Sequence, residues 1–267
     1  MRCVVYNGSR EIYLDMVSAV KSLLVHTEVD AVYLLIEDDV FPYELPEIVQ
    51  TINVSELIPQ LFDIHGPNYH SEWTPVGLIR YALTKVLPEY DVVLEIDADT
   101  IVIQDIGDLF ELEMADYYFA AAREPYLTQV NGYMYCNAGV MLCNNRLLIQ
   151  TGMDDVLINE INTRYYRFIG QDAMSSLFRG KIKELSSEYN SCKFTLPTDK
   201  PKVLHFANDR TWLNSDLTLY YRELPCKTLQ KDSMTAEDGE SAENLSSASG
   251  RVLTEVSVNA AIRDLGT

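Results

Sequence analysis

Two unbroken apolar runs, residues 3–6 (Cys-Val-Val-Tyr) and 31–36 (Ala-Val-Tyr-Leu-Leu-Ile), flank a segment in which Ile12, Met16, Val20, Leu23 and Leu24 recur at helical spacing. Short runs without polar alternation read as strands buried on both faces, and such strands belong to parallel sheets covered by helices on each side. A strand, a helix and a second buried strand in that order form a right-handed crossover unit, so the chain is committed from its start to an α/β architecture. The pattern continues with a third strand expected over 52–58 and a helix over 76–86 that Pro88 stops. Further strands are expected over 91–96, 117–122, 138–143 and 202–206, and helices over 145–163, 172–179 and 213–223. Residues 231–250 are rich in Ser, Glu, Asp, Ala and Gly, with few aliphatic side chains. The expected organisation is a folded domain over 1–225 and a flexible tail over 226–267, with a short helix or strand regained over 251–265.

Charge narrows the partners. With 40 acidic against 21 basic residues, the net charge is -19. Such a surface repels nucleic-acid phosphates and anionic lipid, so neither is expected as a partner. No apolar run is long enough for an integral membrane segment, and the first residues lack a signal-peptide pattern. The five cysteines, at 3, 136, 143, 192 and 226, are odd in number and form no Cys-x-x-Cys pair, which fits reduced thiols and a cytoplasmic setting. A phosphate-bearing ligand would have to be met by a few placed basic residues, a helix N-terminus or a bound cation.

The segment 92–102, Val-Val-Leu-Glu-Ile-Asp-Ala-Asp-Thr-Ile-Val, sets two carboxylates just beyond a buried strand. Ligands of open α/β sheets sit in the crevice past the carboxyl ends of the strands. In extended chain, residues two apart point the same way, so Asp97 and Asp99 share a target. Two like charges held together are costly unless a cation lies between them, and hard oxygen ligands suit Mn²⁺ or Mg²⁺. The string Asp97-Ala98-Asp99-Thr100 also resembles the motif of haloacid-dehalogenase-like phosphatases, with Asp97 as nucleophile. Against that alternative, two or three strands precede the motif here, and no later strand ends in Gly-Asp.

Five blocks, in order over about residues 3–212, carry a more specific resemblance. They are Val4-Val5-Tyr6-Asn7; Arg80-Tyr81-Ala82-Leu83 with Leu87-Pro88 and the strand into Asp97; Cys136-Asn137-Ala138-Gly139-Val140-Met141-Leu142; Gln171-Asp172-Ala173; and Val203-Leu204-His205-Phe206 leading to Trp212. Together the chain resembles glycosyltransferase family 8, the group that includes glycogenin and bacterial lipopolysaccharide galactosyl- and glucosyltransferases. The resemblance implies a GT-A fold, a mostly parallel nucleotide-binding sheet flanked by helices. It also implies a catalytic domain that moves glucose or galactose from a UDP-sugar with retention of configuration. The acceptor would be a glycan, a lipid-linked glycan or a protein. Asp97, Asp99 and His205 are the implied metal ligands, for Mn²⁺ with Mg²⁺ as the alternative; an imidazole favours the later metal. Tyr6, Asn7, Tyr13, Arg80, Ala98, Ala138 and Arg210 are the implied donor-binding residues, and Asn137, Gln171 and Asp172 the catalytic ones.

The chain departs from the family pattern in two places. The family usually has Asp-Gln-Asp where this chain has Gly170-Gln171-Asp172, so a carboxylate that normally contacts the donor sugar is missing. After His205, Asn208 stands in place of a glycine, and Arg210-Thr211-Trp212 replaces Lys-Pro-Trp. These departures keep open a second class of function, a catalytically impaired nucleotide-sugar-binding protein. The polar loop 63–75, with His65, Tyr69, His70, Glu72 and Trp73, is expected to act as a donor lid or an acceptor contact rather than a second metal site.

Overall fold

The computed structural model describes residues 1–71, 74–207 and 209–229. The expected tail beyond 229, with its terminal helix or strand, lies outside the described residues, as do Glu72, Trp73 and Asn208.

The opening unit forms as its apolar pattern requires. Strand β1 (Cys3–Asn7) leads through a 3-10 turn into helix α1 (Tyr13–His26), and β2 (Ala31–Ile36) returns parallel to β1. Every residue of both strands is buried, because each face is covered. Val4 and Tyr6 face a core shared with α1, while Cys3 and Val5 face the opposite core. The third strand, β3 (Val49–Asn53), lies earlier than the expected 52–58 and is half exposed at the sheet edge. It is followed by the short helix α2 (Ile58–Leu61), where Pro59 sits in the first turn and ends any extended run.

The expected helix over 76–86 is instead a 3-10 helix, Pro75–Ala82, followed by one α turn, α3 (Leu83–Val86). Strand β4 (Val93–Ile96) is fully buried and ends just before Asp97. Beyond it come β5 (Thr100–Val102), β6 (Phe119–Arg123), helix α4 (Pro125–Asn131) and β7 (Cys136–Cys143). The helix expected over 145–163 is two helices, α5 (Asn145–Thr151) and α6 (Met153–Thr163), because Gly152 adopts φ 67° and closes the first. Helix α7 (Ile169–Leu177), strand β8 (Ile182–Leu185), strand β9 (Val203–His205) and helix α8 (Asp216–Glu223) complete the described elements. Strands β5 and β8 and helix α4 carry too short an apolar pattern to stand out in the sequence.

The main sheet has the order β3-β2-β1-β4-β7-β6-β8, and only β7 runs against the others. Strand order reverses between β1 and β4, so the crevice at a topological switch point opens past Asn7 and Asp97. A second sheet pairs β5 with β9 antiparallel, setting Thr100 opposite His205. Phe206 and Trp212 stack behind it, with ring centroids 4.7 Å apart, against Leu217 and Tyr221 of α8. No helix among the described residues is long and apolar enough to cross a membrane.

One buried cation ties the C-terminal helix to the first crossover unit. Lys21 of α1 donates from Nζ to the carbonyls of Arg222 and Leu224, at 3.0 and 2.6 Å. Those carbonyls belong to the end of α8, where helical partners run out and a positive charge is favoured. Lys21→Met keeps the apolar stem but leaves both carbonyls unpartnered. It is expected to lower stability by about 1–3 kcal/mol, measured by urea denaturation.

Candidate active site

Three carboxylates leave β4 on one side, since Glu95, Asp97 and Asp99 are each two apart. Glu95 is completely buried. Arg80, from the end of the 3-10 helix, binds Glu95 and donates from Nη1 to Asp97 Oδ1 at 2.7 Å. Asn7, at the end of β1, donates from Nδ2 to the other Glu95 oxygen at 2.7 Å. Burial pushes the Glu95 carboxyl up to about 8, with Asp97 adding to the rise and Arg80 opposing it. Arg80 also donates to the Ala138 carbonyl. Its guanidinium thus grips protein oxygens and holds Asp97 in place from behind.

His205 arrives from the other sheet. Its Nε2 lies 3.5 Å from Asp97 Oδ2 and 3.4 Å from Asp99 Oδ1, and ligand atoms of the three residues all fall within 4.8 Å of one another. The carboxylates are 28% and 33% exposed and the imidazole 5%, so the group opens to the cleft through its acidic side. Burial would lower the His205 pKa, but Asp99, then a bond with Cys192 and the charge of Asp97, outweigh it and raise it well above the usual value.

The imidazole is oriented by a chain of buried amides. His205 Nδ1 meets Asn190 Oδ1 at 2.8 Å, Asn190 Nδ2 donates to Asn137 Oδ1 at 2.8 Å, and Asn137 Nδ2 donates to Glu124 Oε1 at 2.8 Å. A carbonyl oxygen only accepts, so Nδ1 carries a hydrogen, and Nε2 is the nitrogen turned towards Asp97 and Asp99, open to a cation that displaces its proton. Two carboxylates and one such nitrogen are a donor set that fits Mn²⁺ or Mg²⁺. Gly139 makes room for this arrangement, because a Cβ there would overlap the His205 ring.

The remaining expected residues fall into distinct settings. Gln171 accepts from the Ala138 amide at 2.9 Å and donates to Glu124 at 3.3 Å, which places it beside the amide chain. Asp172 accepts from the Tyr135 hydroxyl at 2.6 Å and from the Phe168 amide at 2.9 Å, so both its oxygens brace the start of α7. Tyr6 is enclosed in the core with its hydroxyl towards the Ala19 carbonyl. Tyr13 is also enclosed; its hydroxyl accepts from the Glu37 amide at 3.0 Å, and its ring lies 5.0 Å from that of Phe41. Ala98 packs into the same core as Tyr6, whereas Arg210 is exposed at the turn before Trp212. In the 63–75 loop, Asn68 is buried and bonds the carbonyls of Ile161 and Arg164, which pins the loop to the end of α6.

Two residues of the site went unread in the sequence. Glu124 follows directly on β6, the same signal that marked Asp97; burial raises its carboxyl against the bonds from Asn137 and Gln171. Asn190 lies in a loop after β8, and no pattern singles it out. The missing carboxylate at 170 also finds a cause. The Tyr81 ring lies over Gly170, and any Cβ at that position would collide with it.

A family model described as Glycosyl transferase family 8 matches residues 3–213. Glycosyltransferase GlyE of Streptococcus pneumoniae serotype 4 (strain ATCC BAA-334 / TIGR4) is 28% identical over 237 residues, covering 79% of this chain and 57% of that protein. Glycosyltransferase GlyA of the same strain is 26% identical, covering 79% of this chain and 32% of that protein. The chain therefore spans between about a third and three fifths of the length of these two relatives. The crystal structure of GlyE matches with a TM-score of 0.65 at 22% identity, over 85% of this chain and 62% of that one. A galactosyltransferase, LgtC, in complex with donor and acceptor sugar analogues, matches with a TM-score of 0.60 at 18% identity, over 89% of this chain and 98% of that one. The shared fold is that of the GT-A glycosyltransferases.

Two outcomes follow from the packing. Asn190→Ala frees the imidazole to turn and is expected to weaken Mn²⁺ binding about 10- to 100-fold by titration calorimetry. Gly170→Asp, which restores the usual family residue, is expected to lower the melting temperature in the native background. Adding Tyr81→Ala should recover most of that loss, because the collision is with the ring.

Proposed function

The chain belongs to glycosyltransferase family 8, and from that membership we propose that it is a retaining, metal-dependent hexosyltransferase using a UDP-sugar donor. The observation that carries this reading is the convergence of Asp97, Asp99 and His205 at the switch point of the sheet. A divalent cation bound there supplies Lewis-acid stabilisation of the diphosphate leaving group. The protein's own part is positional. Arg80 fixes the Asp97 carboxylate, Asn190 fixes the imidazole, and Asn137 and Gln171 set amides at the edge of the sugar site. Glu124 orients both amides from behind. Arg210, exposed and five residues after His205, is the basic residue assigned to phosphate oxygens. Glucose or galactose is the sugar, Mn²⁺ the favoured ion, and a glycan, lipid-linked glycan or protein the acceptor.

The test is a panel of UDP-sugars with Mn²⁺, Mg²⁺ or chelator, read as released UDP and as product mass, with the anomeric configuration taken from the product's NMR spectrum. Asp97→Asn and Asp99→Asn are each expected to cut metal-dependent turnover by about 100-fold or more. Full activity in either variant sinks the assignment. Donor binding without turnover on any acceptor identifies the nucleotide-sugar-binding alternative instead, and hydrolysis of simple phosphate monoesters the phosphatase one.

A further inference from the structure

A cavity of about 460 Å³ lies outside the metal-binding group and is lined by Tyr133, Arg164, Tyr166, Asp172, Ser176 and Arg179 among others. Its lining includes Asp172, one of the residues expected to be catalytic and the sequence neighbour of Gln171. It then follows α7 past Ser176 to Arg179, which stands in the turn after the helix ends at Leu177.

The lining is unusual for this molecule. The chain carries a net charge of -19, yet two arginines face this one cavity. The Arg179 guanidinium is stacked on Tyr133, 3.9 Å from the ring centroid, and it makes no ion pair among the described residues. Stacking holds the plane of the fork and leaves its N–H edge to meet a ligand. Arg164 lies 3.4 Å from Glu160 in an exposed pair, and such pairs are weak enough to be exchanged for a better partner. Tyr166 is held by its hydroxyl on Glu160 at 2.5 Å, so its ring is set before any ligand arrives. Arg164 in turn lies over the Tyr166 ring, 5.4 Å from its centroid, so both guanidiniums are backed by tyrosines. A fixed guanidinium edge suits a carboxylate or phosphate, and the aromatic wall behind it suits the apolar side of a sugar ring. A neutral saccharide would use the rings but leave the arginines unanswered.

We propose that this cavity is an acceptor subsite for an anionic saccharide, whose carboxylate or phosphate is bound by Arg179 and Arg164 while its ring lies against the wall that backs them. The word acceptor rests on the transferase reading above; the recognition of an anionic sugar does not.

The test measures binding directly, on the full chain without donor or added metal. Methyl glucuronide, methyl glucoside 6-phosphate and methyl glucoside are titrated by ligand-observed NMR at low and raised salt. At least one anionic probe is expected to bind 10-fold or more tighter than the neutral one, with that advantage shrinking as salt rises. The tighter of the two anionic probes identifies the group that is read. Arg179→Gln should bring the anionic probe to the level of the neutral one. Arg146→Gln, which removes the same charge from the exposed face of α5, should leave binding unchanged. Arg179 is exposed, and matching melting curves establish that its variant folds. Equal binding of neutral and anionic probes, or an Arg179→Gln variant that behaves like Arg146→Gln, overturns the proposal. Arg179-dependent binding in a chain that releases UDP from no donor keeps the anion site and refutes its role as an acceptor site.

Discussion

Three carboxylates packed within five residues of one strand end repel each other, and the site exists because groups from elsewhere hold them. Glu95 is wholly buried and lies beside Asp97, so without Arg80 the pair would carry uncompensated charge in a region of low dielectric. Arg80 joins Glu95, Asp97 and the Ala138 carbonyl, and so ties β4, the 3-10 helix and β7 together at the cleft floor. Asn7 adds β1 to the same knot. The chemistry-bearing face of Asp97 is then free to point outward, towards Asp99 and His205.

The pairing of β5 with β9 brings in the third member of that group. It sets Thr100 opposite His205 across about 100 residues of sequence, while the Phe206 amide bonds the Asp99 carbonyl at 3.0 Å. Behind the imidazole, the chain Asn190–Asn137–Glu124 keeps a hydrogen on Nδ1. Such polar chains are worth burying only when every member is satisfied, and here each amide has its partners. Close packing imposes the remaining conditions. Gly139 yields its side-chain volume to His205, and Gly170 yields its volume to Tyr81. The departure from the family pattern at 170 is thus one half of a complementary pair, with Tyr81 as the other half.

Two concave regions of opposite character lie in the molecule. Around Asp97 the group is acidic and suited to a cation, while the cavity at Asp172 is lined by arginines and tyrosines. In a chain with so acidic a balance, that reversal marks a local demand rather than an average property of the surface. Helix α7 contributes to both, with Gln171 bonded to the amide chain and Ser176, with Arg179 of the turn that follows, lining the cavity.

Much of the architecture was written locally. Unbroken apolar runs at 3–6 and 31–36 fixed β1 and β2, because burial on both faces demands them, and the stretch before Asp97 marked the strand that carries the carboxylates. The Leu-His-Phe string placed His205 at a strand end. Local pattern failed where the signal was short or half exposed, as at β3, β5 and β8, and where one left-handed glycine divided α5 from α6. It also could not tell that Tyr6 and Tyr13 point into the core, that Arg80 is taken up by Glu95 and Asp97, or that Asn190 and Glu124 stand behind the imidazole. Those outcomes depend on which side chains meet after the chain has closed on itself. The sequence alone determined where strands end and which groups could bind a cation; packing between distant segments decided which of them face the cleft and which are consumed in holding it open.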